Sequence, residues 1–160
     1  MDELWHYDVL AAIFRAIRGE SVLEFGVGSW SKLREMCDPK EYVGVDSDPA
    51  CGAATHIMTT DAFFEATAMR TFDLILVDAD HAYTQARKDL VASMQILSER
   101  GIIAVHDTFP AAPEFLSPTC CHDSWRLLRD SFPGWSSFTL CVHPGLTFFS
   151  RTPNPQWDQA

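Results

Sequence analysis

The chain has 160 residues, 47% of them hydrophobic and 21% charged, enough for one core without disulfides or a structural metal. Its formal net charge of −10, from 22 acids against 12 scattered lysines and arginines, argues against nucleic acid as a partner, because binding phosphates leans on basic side chains. No apolar run reaches the roughly 20 residues that cross a bilayer, and the N-terminus lacks a basic stretch followed by an apolar one, so a cytoplasmic protein without a membrane partner is expected.

In chain order, Leu10, Ile13, Phe14 and Ile17 recur at helical spacing and predict an amphipathic helix, with Trp5 and His6 at its start and Gly19 closing it. Val22 to Phe25, apolar except for Glu24, reads as a short buried strand. The loop Gly26-Val27-Gly28 follows, where residues without a Cβ let the chain turn sharply and approach a ligand. Ser29 is placed to cap a helix from Trp30 to Cys37. Tyr42 to Asp46 reads as a second strand ending in an acid, with Ser47 beyond it, and Asp46 stands 20 residues after Gly26. An acid at that distance from a glycine turn commonly accepts hydrogen bonds from ribose hydroxyls. The dinucleotide fingerprint would put a third glycine at position 31, where Ser31 stands, and the Glu24 charge would repel a pyrophosphate. A cationic cofactor without phosphates, such as S-adenosylmethionine, suits Glu24 better.

Alternation continues. His56 to Met58 is expected as a third strand, followed by Asp61 and Ala62, a short helix over Phe63 to Met69, and a fully buried strand over Phe72 to Val77. Ala86, Leu90, Met94 and Leu97 mark a long helix, and Gly101 to Val105 a fifth strand. Strands alternating with helices imply a parallel sheet covered on both sides. Pro110 to Cys121 is a loop rich in proline and small residues, suited to a lid or substrate wall, with Phe109 and Phe115 available to a planar acceptor. A helix around Trp125, Leu128 and Phe132 then ends at Pro133-Gly134. Ser137 to His143 and Leu146 to Arg151 flank Pro144-Gly145 as a strand pair, and the tail from Pro153 is expected to be loose, so residues 1–152 form a single domain with 153–160 trailing it. Five cysteines, an odd number with no C-x-x-C, do not suggest disulfides or structural zinc. Cys37, Cys51 and Cys141 read as small buried or half-buried hydrophobes, and Cys120-Cys121-His122 as a loop with incidental thiols.

Two polar clusters stand directly behind apolar strands: Asp78-Ala79-Asp80-His81 and His106-Asp107-Thr108. In a doubly wound sheet neighbouring strand ends share one crevice, so the clusters should converge. Asp80 and Thr108 also suit a purely structural role, capping turns or helices. His106 suits either ligation or packing at the strand end. His56, His122 and His143 are read as structural.

The order Glu24-x-Gly26-x-Gly28, Asp46, Asp61-Ala62 resembles the class I S-adenosylmethionine-dependent methyltransferases from about Val22 to Arg151. The run Phe72 to Asp80, with its Val77-Asp78-Ala79-Asp80 end, resembles the catechol and caffeoyl-CoA type of metal-dependent O-methyltransferases and their bacterial relatives. That resemblance implies a doubly wound, mostly parallel seven-stranded Rossmann-like sheet with an antiparallel C-terminal strand and helices on both faces. It implies cofactor contacts from Glu24, Gly26, Val27, Gly28, Asp46, Ser47, Asp61, Ala62 and Asp78, with Asp61 on the adenine side. It implies a divalent cation such as magnesium on Asp78 and Asp107, with Thr108 standing where the family has a ligating asparagine. It further implies catalysis from Asp78, Asp80 and His81, which occupies the place of the family's lysine base. The expected reaction is methyl transfer to a small molecule, with an oxygen as the acceptor atom implied by the resemblance, in a chain that could borrow a wall from a partner as a homodimer. Two other readings compete: a binding or scaffold domain that has lost turnover, and a nicotinamide-dependent enzyme, which Ser31, Glu24 and the terminal strand pair disfavour.

Overall fold

The protein is described by a computed structural model over residues 5–66, 70–109 and 123–152. Seven strands build one sheet: β1 (Ser21–Phe25), β2 (Glu41–Asp46), β3 (His56–Ile57), β4 (Phe72–Val77), β5 (Leu97–His106), β6 (Trp135–Leu140) and β7 (Leu146–Arg151). Their order is β3-β2-β1-β4-β5-β7-β6. The first five run parallel, and β7 is antiparallel to both β5 and β6. Among the described residues four α-helices, α1 (Trp5–Ala16), α2 (Lys32–Cys37), α3 (Thr60–Ala66) and α4 (Tyr83–Gln95), pack on this sheet. The expected doubly wound, mostly parallel architecture with its antiparallel C-terminal strand is the one observed. No helix among the described residues is long and apolar enough to cross a membrane.

Strand alternation divides the core. On one face Leu23, Phe25, Ile75, Val77, Ile103 and Val105 meet Phe63 of α3 and Leu90 of α4. On the other Val22, Leu74, Leu76 and Ala104 meet Leu10 and Phe14 of α1 and Leu33 of α2. Each large side chain so buried contributes about 1.5–3 kcal/mol against the unfolded chain. Register places the site. Phe25 is level with Val45 and Val77, so the next residue on each strand (Gly26, Asp46 and Asp78) comes out at the same height, where the strand order reverses between β1 and β4.

Several boundaries differ from those the pattern predicts. Arg18, with φ of 56°, is the left-handed residue that ends α1, while the Gly19 backbone is crowded by the Phe14 ring. Ser31, not Ser29, caps α2, its hydroxyl accepting from the Arg34 N–H, because the glycine turn uses two more residues before the helix begins. Asp61 and Ala62 lie in the first turn of α3 instead of ahead of it. Leu97 opens β5 and does not belong to α4, and Ser124–Arg129 is a 3-10 helix that stops short of Phe132. Of the three described cysteines Cys37 and Cys51 are buried, whereas Cys141 is exposed in the turn between β6 and β7. The expected lid over Pro110 to Cys121 and the tail from Pro153 lie outside the described residues.

Candidate active site

The turn after β1 brings three strand ends together. Gly26 has φ of 82° and Gly28 of 66°. The Gly26 N–H donates to the Val45 carbonyl at 2.9 Å, and the Asp78 N–H to the Phe25 carbonyl at 3.0 Å. A Cβ on Gly26 would run into the Asp78 backbone carbonyl, so only glycine lets β1 turn this close to β4. Asp46 then holds the loop from its other side. Its Oδ2 accepts from the Gly28 N–H at 2.9 Å and its Oδ1 from the Asp48 N–H at 2.8 Å. Carboxylate oxygens carry further lone pairs, so both remain able to accept from a diol.

A cavity of about 300 Å³ opens on this turn. Gly26, Asp46, Ser47, Asp61 and Asp80, all expected site residues, line it, together with Met58, Thr60, Ala79 and Gln85. Asp61 pairs with Lys88 at 2.6 Å, and Lys88, followed by Gln85, holds its carboxyl below the usual range. Asp80 turns its Oδ1 to the Ala82 N–H at 2.8 Å, a turn-capping bond, and reaches the cavity without joining the cluster of ionisable groups behind it. Val27 is buried beneath the loop, and Ala62 donates its N–H to Thr59 in the first turn of α3; neither lines the cavity.

Glu24 does not stand in the cavity wall as the charge argument expects. It is 1% exposed beneath the loop, and its Oε2 accepts from the Ser31 hydroxyl at 2.6 Å and the Tyr42 hydroxyl at 2.5 Å. Burial pushes its carboxyl up to about 7, against the opposing pull of those two hydroxyls. It thus ties β1 to β2 and to the cap of α2. Ser31 and Tyr42 escaped the sequence reading as partners of Glu24. A glycine in the middle of β2, at Gly44, was the available signal that another side chain comes close there.

The ends of β4 and β5 converge as expected. His81 spans two carboxylates, with Nε2 3.1 Å from Asp78 Oδ1 and Nδ1 3.2 Å from Asp107 Oδ2. His106 adds a second imidazole: its Nδ1 lies 3.1 Å from Asp78 Oδ1 and 3.2 Å from Asp107 Oδ1, out of line for a hydrogen bond, so the attraction is Coulombic. Asp107 itself has φ of 56°, a left-handed conformation costly for a residue with a Cβ. The Ser124 hydroxyl, donating to the Asp107 carbonyl at 2.8 Å, helps hold it. Asp123 and Ser124 also donate their N–H groups to the His81 carbonyl at 3.0 and 2.9 Å, so one segment fastens both strand ends.

The electrostatics are mutual. Burial pushes Asp78 and Asp107 up, but the imidazoles outweigh it and hold both carboxyls low. His81 is raised, first by its bond to Asp78 and against the effect of burial. For His106 burial acts downward, and Asp107 and Asp78 together overcome it, raising the ring to about 10.

Asp78, His81 and Asp107 each offer a donor atom within 4.8 Å of the others, a spread one divalent ion can bridge. Thr108 does not complete that set. It is 0% exposed, and its hydroxyl oxygen accepts from the Thr147 hydroxyl at 2.8 Å, on the core side of β5. The third donor is His81 instead.

Residues 26–108, just over half of the chain, match a family described as a methyltransferase domain. Solved structures share the fold. An O-methyltransferase from Bacillus cereus in complex with S-adenosylhomocysteine superposes with a TM-score of 0.72 at 13% identity, over 95% of this chain and 83% of that one. The S-adenosylhomocysteine-bound methyltransferase PaMTH1 from Podospora anserina does so at 0.69 and 20% identity, over 96% and 80%. The O-methyltransferase TomG from Streptomyces achromogenes, involved in tomaymycin synthesis and bound to S-adenosylmethionine, gives 0.68 at 14% identity, over 96% and 82%. No curated protein sequence matches. The family match runs from the first glycine of the β1 turn to Thr108 behind β5 and takes in both carboxylate-tipped strands, and the chain belongs to this family of methyltransferase domains.

Proposed function

We propose that the protein transfers the methyl group of S-adenosylmethionine to a hydroxyl of a small molecule. The observation that carries this is the short segment behind β4, which serves two sites at once. Ala79 and Asp80 line the cavity, while Asp78 and His81, on either side of them, belong to the cluster with Asp107. A cofactor in the cavity therefore lies within a few residues of groups that can orient and deprotonate an acceptor. The presence of S-adenosylmethionine or S-adenosylhomocysteine in structures of the same fold supports the cofactor. The overall charge of −10 supports a small acceptor over a polyanion.

The acceptor oxygen attacks the sulfonium methyl in line: an O–C bond forms, the S–C bond breaks, and its electron pair stays on sulfur. Neutral His81 takes the hydroxyl proton and passes it to solvent, and Asp78 and Asp107 fix the ring in place. A divalent ion held by Asp78, His81 and Asp107 would supply Lewis-acid polarisation of that hydroxyl, and with the His81 lone pair then on the ion the proton would pass to solvent without it. A set with one imidazole suits a transition ion better than magnesium, which prefers oxygen ligands.

The test is calorimetric titration with S-adenosylmethionine and S-adenosylhomocysteine, followed by transfer of labelled methyl to a panel of hydroxylated acceptors with and without chelator. Absence of binding at millimolar ligand would overturn the cofactor assignment. Binding without transfer to any acceptor would leave a cofactor-binding domain that has lost turnover.

A further inference from the structure

Gln85 stands in the first turn of α4 and lines the cavity beside Thr60 and Asp61 of α3. Its Nε2 donates to Asp89 Oδ1 at 2.8 Å, to Thr60 Oγ1 at 3.0 Å and, more weakly, to Asp61 Oδ1 at 3.4 Å. Two of these three partners are carboxylates, which accept and do not donate when ionised. The amide therefore has one sense only: nitrogen toward α3 and Asp89, with the carbonyl oxygen as the polar group left for whatever occupies the cavity.

Asp89 holds Thr60 of α3 as well as Gln85. It is 1% exposed, one helical turn beyond Gln85, and its Oδ2 has no hydrogen-bond partner. Burial pushes its carboxyl up, with the bonds from Thr60 and Gln85 opposing. A buried carboxylate with an unsatisfied oxygen is costly to the fold, and here its contact with Gln85, made beside the one with Thr60, sets the sense of the amide.

An acceptor in this wall distinguishes purines. The 6-amino group of adenine donates to it, whereas the 6-oxo group of hypoxanthine would set oxygen against oxygen and leave the Gln85 carbonyl without a partner. With the ribose at Asp46, the wall formed by Thr60, Asp61 and Gln85 is where the base falls. Resting on the cofactor assignment proposed above, we infer that Gln85, oriented by Asp89, is a specificity-determining residue that selects the adenine base of the cofactor through its 6-amino group.

The experiment compares S-adenosylhomocysteine with S-inosylhomocysteine by calorimetric titration, on the wild-type protein and on Gln85→Leu and Asp89→Asn, each checked for an intact melting transition. The wild type is expected to prefer the adenosyl ligand on the order of 100-fold, since a site built to hydrogen-bond rejects the analogue lacking the donor. In Gln85→Leu that preference should fall to within roughly fivefold, with S-adenosylhomocysteine itself weakened only about tenfold. Asp89→Asn, whose amide can donate to the Gln85 carbonyl and turn it from the cavity, should lose a comparable part of the preference. Wild-type binding to neither ligand would sink the cofactor assignment. Binding with a preference that survives both substitutions would overturn the role of Gln85 and leave the cofactor assignment standing.

Discussion

The Tyr42 hydroxyl donates to Glu24 Oε2 at 2.5 Å, crossing from one parallel strand to the next over Gly44. Gly44 is the residue level with Glu24, and a Cβ there would come within 2.6 Å of the Tyr42 oxygen and 2.8 Å of Val27 Cγ2. Gly44→Ala is expected to destabilise the fold by about 1–3 kcal/mol, the usual range for forcing an extra carbon into a packed site. Tyr42→Phe, which removes a donor from a buried carboxylate, should cost a similar amount. Chemical denaturation of both variants measures this, and a Gly44→Ala midpoint equal to wild type would show that Tyr42 and Val27 yield freely.

Glu24 also sets a pH dependence. Its folded value of about 7 lies above the ordinary 4.5, so the native state binds the proton more tightly than the unfolded chain. The stability this gives is fully present below 4.5 and is lost as pH rises to about 7. The span corresponds to about 3 kcal/mol. Glu24→Gln keeps an acceptor for Ser31 and Tyr42 and has no charge to bury. It should be more stable than wild type at pH 8 and lose that advantage toward pH 5. Melting curves across this range check the sign; a variant destabilised equally at both ends would assign Glu24 a role other than a buried acid.

Some of these relationships could be read in the chain and others could not. An acid directly behind an apolar strand, as at Asp46, Asp78 and Asp107, is visible because parallel strands end at one edge and polar residues there have a shared crevice to face. The parallel sheet covered on both sides was visible in the alternation of apolar runs with helical spacing, whereas its seven strands were implied by the family resemblance. Whether Ser29 or Ser31 caps α2 was not, because both flank Trp30 and only the length of the glycine turn decides. The resemblance put Thr108 where the family has a ligating asparagine, but the left-handed turn at Asp107 separates the two side chains and the Thr108 hydroxyl is taken by Thr147. The bond between Tyr42 and Glu24, and the orientation of Gln85 by Asp89, depend on register and helix placement that no local pattern carries.

His81 leads to a kinetic prediction. Acting as base it must be neutral, and Asp78 and Asp107 favour its charged form, so its value lies above 6.5. The kcat/KM of the wild type is therefore expected to climb with pH through a limb displaced above 6.5. His81→Asn should lower the rate by about 10²- to 10⁴-fold and remove the limb. A limb that persists in this variant would move the base to another residue.

The two loop glycines separate backbone strain from collision. Both have positive φ, so an alanine at either pays the left-handed conformation, about 1–2 kcal/mol. At Gly28 nothing lies within 4 Å of the added carbon, and Gly28→Ala should show that cost alone, with cofactor affinity kept within a few-fold of wild type. At Gly26 the carbon meets the Asp78 carbonyl and the Ala79 backbone, which cannot withdraw without moving the end of β4. Gly26→Ala should therefore lose about 3 kcal/mol or more, and should also weaken S-adenosylhomocysteine by more than tenfold, because Ala79 and Asp80 line the cavity. Denaturation and calorimetric titration on the pair decide it: equal losses at both positions would mean that strain alone explains the glycines, and that β1 and β4 do not need to touch for the cofactor to bind.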